Sequence, residues 1–237
     1  MQFQNFEVPP FNSHFEGAYS EHELKWLRTC ATEKTNNLQA LARGKSVETV
    51  LEVGCGSAVV LAEVARRKIG CDHVGIDLVD PRVHLDAGAA QLKVLAYDGV
   101  TIPFPDNAFD LVYASHVIEH VPEPRALLAE IHRVSKQWVY VEVPCELHVR
   151  TTHKALQTSL DIGHINAYTP ESFVLLLETA GLKVKDTRLF DHMWEVHRFH
   201  TSFVAGTIKG AIRRSLLGLS PRWASKTFTY HFGALCA

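Results

Sequence analysis

The chain has 237 residues, 46% of them hydrophobic and 21% charged, with a formal charge of −2. That length can bury one sizeable core, and the near-neutral charge gives no general attraction to nucleic acid or anionic membrane. No apolar run approaches the roughly 18–20 residues of a membrane span.

The first twenty residues lack a basic start followed by an apolar stretch. The five cysteines (Cys30, Cys55, Cys71, Cys145, Cys236) are odd in number and without paired spacing. Reduced thiols in a cytoplasmic protein are therefore expected. Residues 1–19, with two prolines, a glycine and several aromatics, read as an irregular arm. Glu21 to Ala42 is patterned as a helix anchored by Leu24, Leu27, Leu38 and Leu41. It either packs on a sheet edge or acts as a lid over a ligand cleft.

Thr49 to Val53 is a β-branched, apolar run that predicts a buried strand, ended by Gly54-Cys55-Gly56. Ser57 to Arg67 then has helical spacing. A strand, a glycine turn and a helix bring backbone N–H groups and a positive helix end to one point, where a nucleotide-like ligand can sit. The third glycine of G-x-G-x-x-G is replaced by Val59, and Glu52 stands two residues before the first glycine. Cys71 to Asp77 reads as a second strand, with Asp77 at its end, 23 residues beyond Gly54. A carboxylate at that distance suits a ribose, because it can accept from both hydroxyls.

Lys93 to Tyr97 predicts a third strand running into Asp98-Gly99, and Pro103 to Asp110 a turn into a fourth, Leu111 to Ser115. His116-Val-Ile-Glu-His120 follows at the mouth of the expected cleft; if helical, it puts His116 and His120 on one face. Arg125 to Val134 is a helix and Trp138 to Val143 a fifth strand. From Pro144 through His153 to His164 the chain is polar and histidine-rich, as substrate loops often are. Thr169-Pro170 opens a helix with Phe173, Leu176, Leu177 and Ala180 inward, closed by Gly181. Leu182 to Leu189 and Phe228 to Cys236 read as the last two strands. Between them, Phe203, Ile208, Ile212, Leu216 and Leu217 with Lys209, Arg213 and Arg214 predict an amphipathic basic helix. Packing on the domain, covering a substrate or a second subunit, and membrane-surface contact through 203–217 compete for it, in that order.

Glu-x-Gly-x-Gly, the acid after the second strand, Asp98-Gly99, and the Pro-Phe turn with Phe109-Asp110 before an apolar strand occur in this order between about Glu48 and Val184. Together they resemble the class I S-adenosylmethionine (SAM) methyltransferases, in the small-molecule group often called type 11. The resemblance implies an α/β, Rossmann-like fold: a seven-stranded, mainly parallel sheet with helices on both faces and an antiparallel last strand. It implies one domain over 1–237, made of an arm and helical lid (1–47), a cofactor core (48–189), an insertion (190–227) and the last strand (228–237). It places SAM, leaving as S-adenosylhomocysteine, on Glu52, Gly54, Cys55, Gly56, Asp77, Leu78, Asp98, Gly99 and Ser115 or His116, with Asp98 at the adenine amino group.

Methyl transfer is an in-line displacement, so the protein chiefly positions two reactants. A hydroxyl acceptor also needs a base or a metal. His116, His120, Glu146 and His164 are the candidate catalytic residues. His116, Glu119, His120 and His164 are a chemically sensible divalent-metal set. That set resembles the Glu-x-x-Glu-His plus distant His of ubiquinone-pathway and small-RNA terminal 2′-O-methyltransferases, which bind metal, although His116 replaces their first Glu. In the other reading His116 lines the cofactor, Glu119 and His120 cap the helix, and His164 contacts substrate or packs. His148 stands near Glu146 at a strand end, and His192, His197 and His200 form a further cluster.

The expected function is methyl transfer to a hydroxyl of a small molecule or glycan, without nucleic acid; a homodimer is left open. The alternatives are an RNA 2′-O-methyltransferase with a divalent metal, against which the near-neutral charge argues, and a non-catalytic SAM-binding partner subunit.

Overall fold

A computed structural model describes residues 20–83, 85–199 and 201–237; the arm at 1–19 and His200 lie outside the described residues. Seven strands form one sheet: β1 (Thr49–Val53), β2 (Asp72–Asp77), β3 (Lys93–Ala96), β4 (Phe109–Ser115), β5 (Ser135–Pro144), β6 (Val184–Phe190) and β7 (His231–Cys236). Their order is β3-β2-β1-β4-β5-β7-β6, with β7 antiparallel to both neighbours and the other pairings parallel. This is the expected mainly parallel sheet. The reversal of chain order at β1 and β4 makes a switch point, where strand ends splay and a ligand cleft can open.

Helices α1 (Glu21–Ala42), α2 (Val59–Arg66), α3 (Pro124–Val134), α4 (His153–Asp161) and α5 (Pro170–Thr179) surround the sheet, followed by α6 (Trp194–Phe199), α7 (Phe203–Leu219) and α8 (Pro221–Ser225). On one face Leu127, Leu128 and Ile131 of α3 and Phe173 and Leu177 of α5 pack against Val112, Ala114 and Val141. On the other, Ala31 and Leu38 of α1 join Leu61 and Val64 of α2 over Val50, Leu111 and Tyr113. β4 is buried along its whole length, as its apolar run requires when both faces are covered. Ser20 and Glu23 close a reciprocal capping box at the start of α1, which fixes where that helix begins.

Two expectations need correction. The segment after β4 is not a regular helix: His116 has left-handed backbone (φ 60°) and only Ile118–His120 turn as a short 3-10 helix, so His116 and His120 do not share a helical face. The polar stretch after β5 is not all loop, because Thr152 caps α4 within it. The insertion does contain the expected helix, α7. Gly206, Gly210 and Arg213 face inward, while Phe203, Val204, Ile208 and Ile212 are exposed. The close approach explains the orientation, since a Cβ on Gly210 would lie 2.6 Å from the Trp194 ring. No helix among the described residues is long and apolar enough to cross a membrane, and all five cysteines are unpaired.

Candidate active site

The C-terminal ends of β1, β2, β3 and β4 open into a cleft of about 380 Å³. Glu52, Gly54, Cys55, Gly56, Asp77, Leu78, Asp98, Gly99, Ser115 and His116 all line it. The glycine turn is tied to β2 by Gly54 and Cys55, whose N–H groups donate to the Ile76 carbonyl at 2.8 and 3.0 Å. Gly54 has φ 76°, and a Cβ there would lie 2.4 Å from Val117 Cγ2, so two constraints exclude a side chain. Ala58, the residue before α2, is itself left-handed (φ 58°) and offers no side-chain cap, leaving the first-turn N–H groups of that helix without one.

Asp77 Oδ2 accepts from Gly56 N–H at 2.7 Å and Oδ1 from Val79 N–H at 3.3 Å. Burial nevertheless raises its pKa. Asp98 is exposed, and its Oδ1 accepts from Val100 and Thr101 N–H groups, both at 2.8 Å. Glu52 is enclosed, and burial pushes its carboxyl up to about 8 despite the nearby Tyr113 and Lys34. Lys34 comes from α1 and donates to the Ser115 carbonyl at 3.4 Å. With Leu27 it brings α1 into the cleft wall, so the helix both packs on α2 and borders the site. Neither residue carries a sequence signal that separates it from an ordinary helix face.

Beyond Ser115 the polar groups form a buried chain. His116 sits between Glu119 Oε1 (3.2 Å from Nδ1) and Glu142 Oε1 (3.3 Å from Nε2). Burial opposes its protonation, but the two carboxylates raise its pKa overall. Burial alone would raise Glu119 and Glu142 as well; His116 holds Glu119 at about 2, and His116 with His231 holds Glu142 well below the usual range. The His231 ring packs edge-on against His116 at 4.4 Å and against His192 at 4.4 Å. Burial and those two histidines push His231 down to about 4. Glu33 of α1 accepts from His192 Nδ1 at 2.8 Å and from Met193 N–H at 2.5 Å. Further out, His197 meets Asp191 at 3.2 Å, and Asp191 also binds Arg213.

On the other side of Glu119, the His120 and His164 rings meet edge-on at 4.8 Å. Three of the four predicted metal ligands, Glu119, His120 and His164, bring donor atoms within 4.8 Å of one another, while His116 turns toward Glu142 and His231. His120 Nδ1 faces the Gly163 carbonyl at 3.0 Å and His164 Nδ1 faces Glu146 at 2.9 Å. A ring nitrogen facing a carbonyl or carboxylate must carry the proton, so each ring keeps Nε2 as its acceptor. Glu146 also accepts from Ser159 at 2.8 Å, which commits both its oxygens to holding other groups. His148 lies apart from the cleft, in a pocket with Arg150, Lys209 and Arg213.

Sequence reasoning missed Glu33, Lys34, Glu142 and His231. The available signal was Glu142, a lone carboxylate inside the apolar run Val139-Tyr-Val-Glu-Val143.

Residues 19–187 match a family model described as a methyltransferase domain. A protein of Mycolicibacterium smegmatis named as a probable S-adenosylmethionine-dependent methyltransferase is 30% identical over 63% of this chain and 57% of its own length. The chain thus spans little more than half of that relative. A ubiquinone biosynthesis O-methyltransferase of Acinetobacter baylyi is 23% identical over 86% of this chain and 94% of its own. Among solved structures, a Haemonchus contortus N-methyltransferase bound to phosphomonomethylethanolamine and S-adenosylhomocysteine superposes with TM-score 0.63 at 14% identity, over 98% of this chain and 61% of that one.

Proposed function

The chain belongs to the class I S-adenosylmethionine-dependent methyltransferases, and on that premise we propose that it methylates a hydroxyl of a small-molecule or glycan acceptor. SAM would lie along the cleft. The Gly54-Cys55-Gly56 turn and Glu52 would meet its methionine and sugar, Asp77 and Leu78 the ribose and one adenine face, Asp98 and Gly99 the adenine edge, and Ser115 and His116 the sulfonium end. One observation carries the oxygen reading: the cleft wall at His120 leads directly to His164, whose free Nε2 is oriented by Glu146. In the transfer the acceptor oxygen attacks the methyl carbon, the carbon–sulfur bond breaks, and the hydroxyl proton passes to one of these imidazoles. Glu146 then acts as a positioning residue rather than as the base. The O-methyltransferase named above, which pairs with nearly the whole chain, supports the same acceptor atom.

Glu119, His120 and His164 also suit a divalent cation. Both Glu119 oxygens are buried with His116 Nδ1, at 3.2 Å from Oε1, as their near neighbour, and each ring holds its other nitrogen through an outer oxygen, as metal-ligating histidines do. These three would hold the ion, which when bound supplies Lewis-acid assistance to ionisation of the acceptor hydroxyl.

The test is transfer of a labelled methyl from SAM into fractionated cell extract, with and without EDTA. Label in a small-molecule or glycan fraction is expected. Label confined to RNA would replace this reading with a 2′-O-methyltransferase, and SAM binding with no label anywhere would favour a non-catalytic subunit.

A further inference from the structure

Glu33, Glu142, His116 and His231 come from four separated parts of the chain: α1, β5, the turn after β4, and the first residue of β7. Both glutamates are buried, with 2% and 0% exposure, and so is His231. Two ring nitrogens in this group, His116 Nε2 and His231 Nδ1, are enclosed and lack any hydrogen-bond partner. Both lie near the same oxygen, Glu142 Oε1, at 3.3 and 3.6 Å, and His231 Nδ1 is also 3.5 Å from Glu33 Oε1.

These separations are too long for charge-assisted hydrogen bonds, which run about 2.7–2.9 Å. The glutamates themselves are held by short bonds: His192 to Glu33 at 2.8 Å, and Tyr140 to Glu142 Oε2 at 2.5 Å. The donor atoms of His116, Glu142 and His231 all lie within 4.8 Å of one another. Donors held about 2.1 Å from a metal in tetrahedral geometry lie about 3.4 Å from one another, close to the 3.3 and 3.6 Å of the two edges at Glu142 Oε1. The Tyr140 bond is one a metal site needs, since it orients the ligating carboxylate from behind.

We propose that His116 Nε2, Glu142 Oε1 and His231 Nδ1 form a second divalent-cation site, separate from Glu119, His120 and His164. Mixed imidazole and carboxylate ligands select a first-row ion such as Zn²⁺, Fe²⁺ or Mn²⁺ over Mg²⁺ or Ca²⁺. His116 stands between the two sites, its Nδ1 3.2 Å from Glu119 and its Nε2 on the new one. An ion there would tie β5 and the turn after β4 to the last strand. It would also balance buried carboxylates whose partners are otherwise mainly imidazoles.

The test measures metal alone, without SAM, so it stands independently of the methyl-transfer reading. The EDTA-treated full chain is titrated with Zn²⁺ by calorimetry, and bound metal is counted after desalting. The expected result is an equivalent of Zn²⁺ that Glu142→Gln and His231→Ala each lose, or bind at least tenfold more weakly, and that His164→Ala retains. Glu142→Gln keeps the side-chain shape, so circular dichroism of that variant separates lost metal from lost fold. No Zn²⁺ uptake by the wild type, or uptake that Glu142→Gln and His231→Ala leave unchanged, would overturn the proposal.

Discussion

Gly56 donates its backbone N–H to Asp77 Oδ2 at 2.7 Å, so the carboxylate proposed for the ribose also fixes the glycine turn. One side chain thus couples β1 and β2 at the wall of the cleft. Replacing Asp77 by Ala should weaken SAM at least tenfold in calorimetry, about 1.4 kcal/mol or more, since a bond to a charged acceptor is lost along with the turn's anchor. Unchanged affinity would remove the ribose assignment.

Gly54→Ala should destabilise the fold by about 1–3 kcal/mol in denaturant titration. The cause is divisible: a left-handed backbone and a Cβ 2.4 Å from Val117 Cγ2. Adding Val117→Ala should recover part of the loss, the steric part. No recovery would leave backbone strain as the whole cause.

The cleft lining at the strand ends was legible because it is local. Glu52, Gly54, Gly56, Asp77, Asp98 and Gly99 all fall at the ends of successive strands, so spacing along the chain reports position in space. The network around Glu142 was not, because sheet order creates it. β7 lies between β5 and β6, which sets the last strand's His231 beside a β5 carboxylate some ninety residues earlier. The orientation of α7 was not legible for a related reason: apolar residues mark a buried face only when larger residues pack better there, and here two glycines allow Trp194 and His197 to come close.

Glu52 makes stability pH-dependent with a clear sign. Its folded pKa of about 8 lies above its ordinary 4.5, so between those values the folded state holds more protons than the unfolded one. Stability contributed by the neutral carboxyl is therefore present at low pH and lost as pH rises through this window. Glu52→Gln should gain on the wild type by several kcal/mol, on the order of 3–5, from pH 4.5 to 8 in urea titrations. Parallel curves would mean the carboxyl ionises without cost.

The two faces of α7 should respond oppositely. Ile212→Glu, on the exposed face, should leave stability within about 0.5 kcal/mol. Gly210→Ala should cost more than about 1 kcal/mol, because its Cβ meets Trp194 at 2.6 Å. Thermal melts of the two variants decide which face packs.

Glu146→Gln should lower kcat on the order of 100-fold with a smaller change in KM, as loss of an oriented proton acceptor does. It should also reshape the pH–rate profile. A purely structural role for Glu146 would lower the active fraction and leave that profile unchanged.

The position of β7 also constrains the order in which the molecule can be completed. A chain emerging from the ribosome makes β5 and β6 long before the strand that pairs with both of them. Until residues 231–236 emerge, two strand edges stay open beside the outer strand of the future sheet, each able to pair with the wrong neighbour. Glu33 and Glu142 wait for the same event, since His231 reaches them only when that slot is filled. Closing the sheet and assembling the buried polar cluster are therefore one step, and a nascent chain halted before it would lack both.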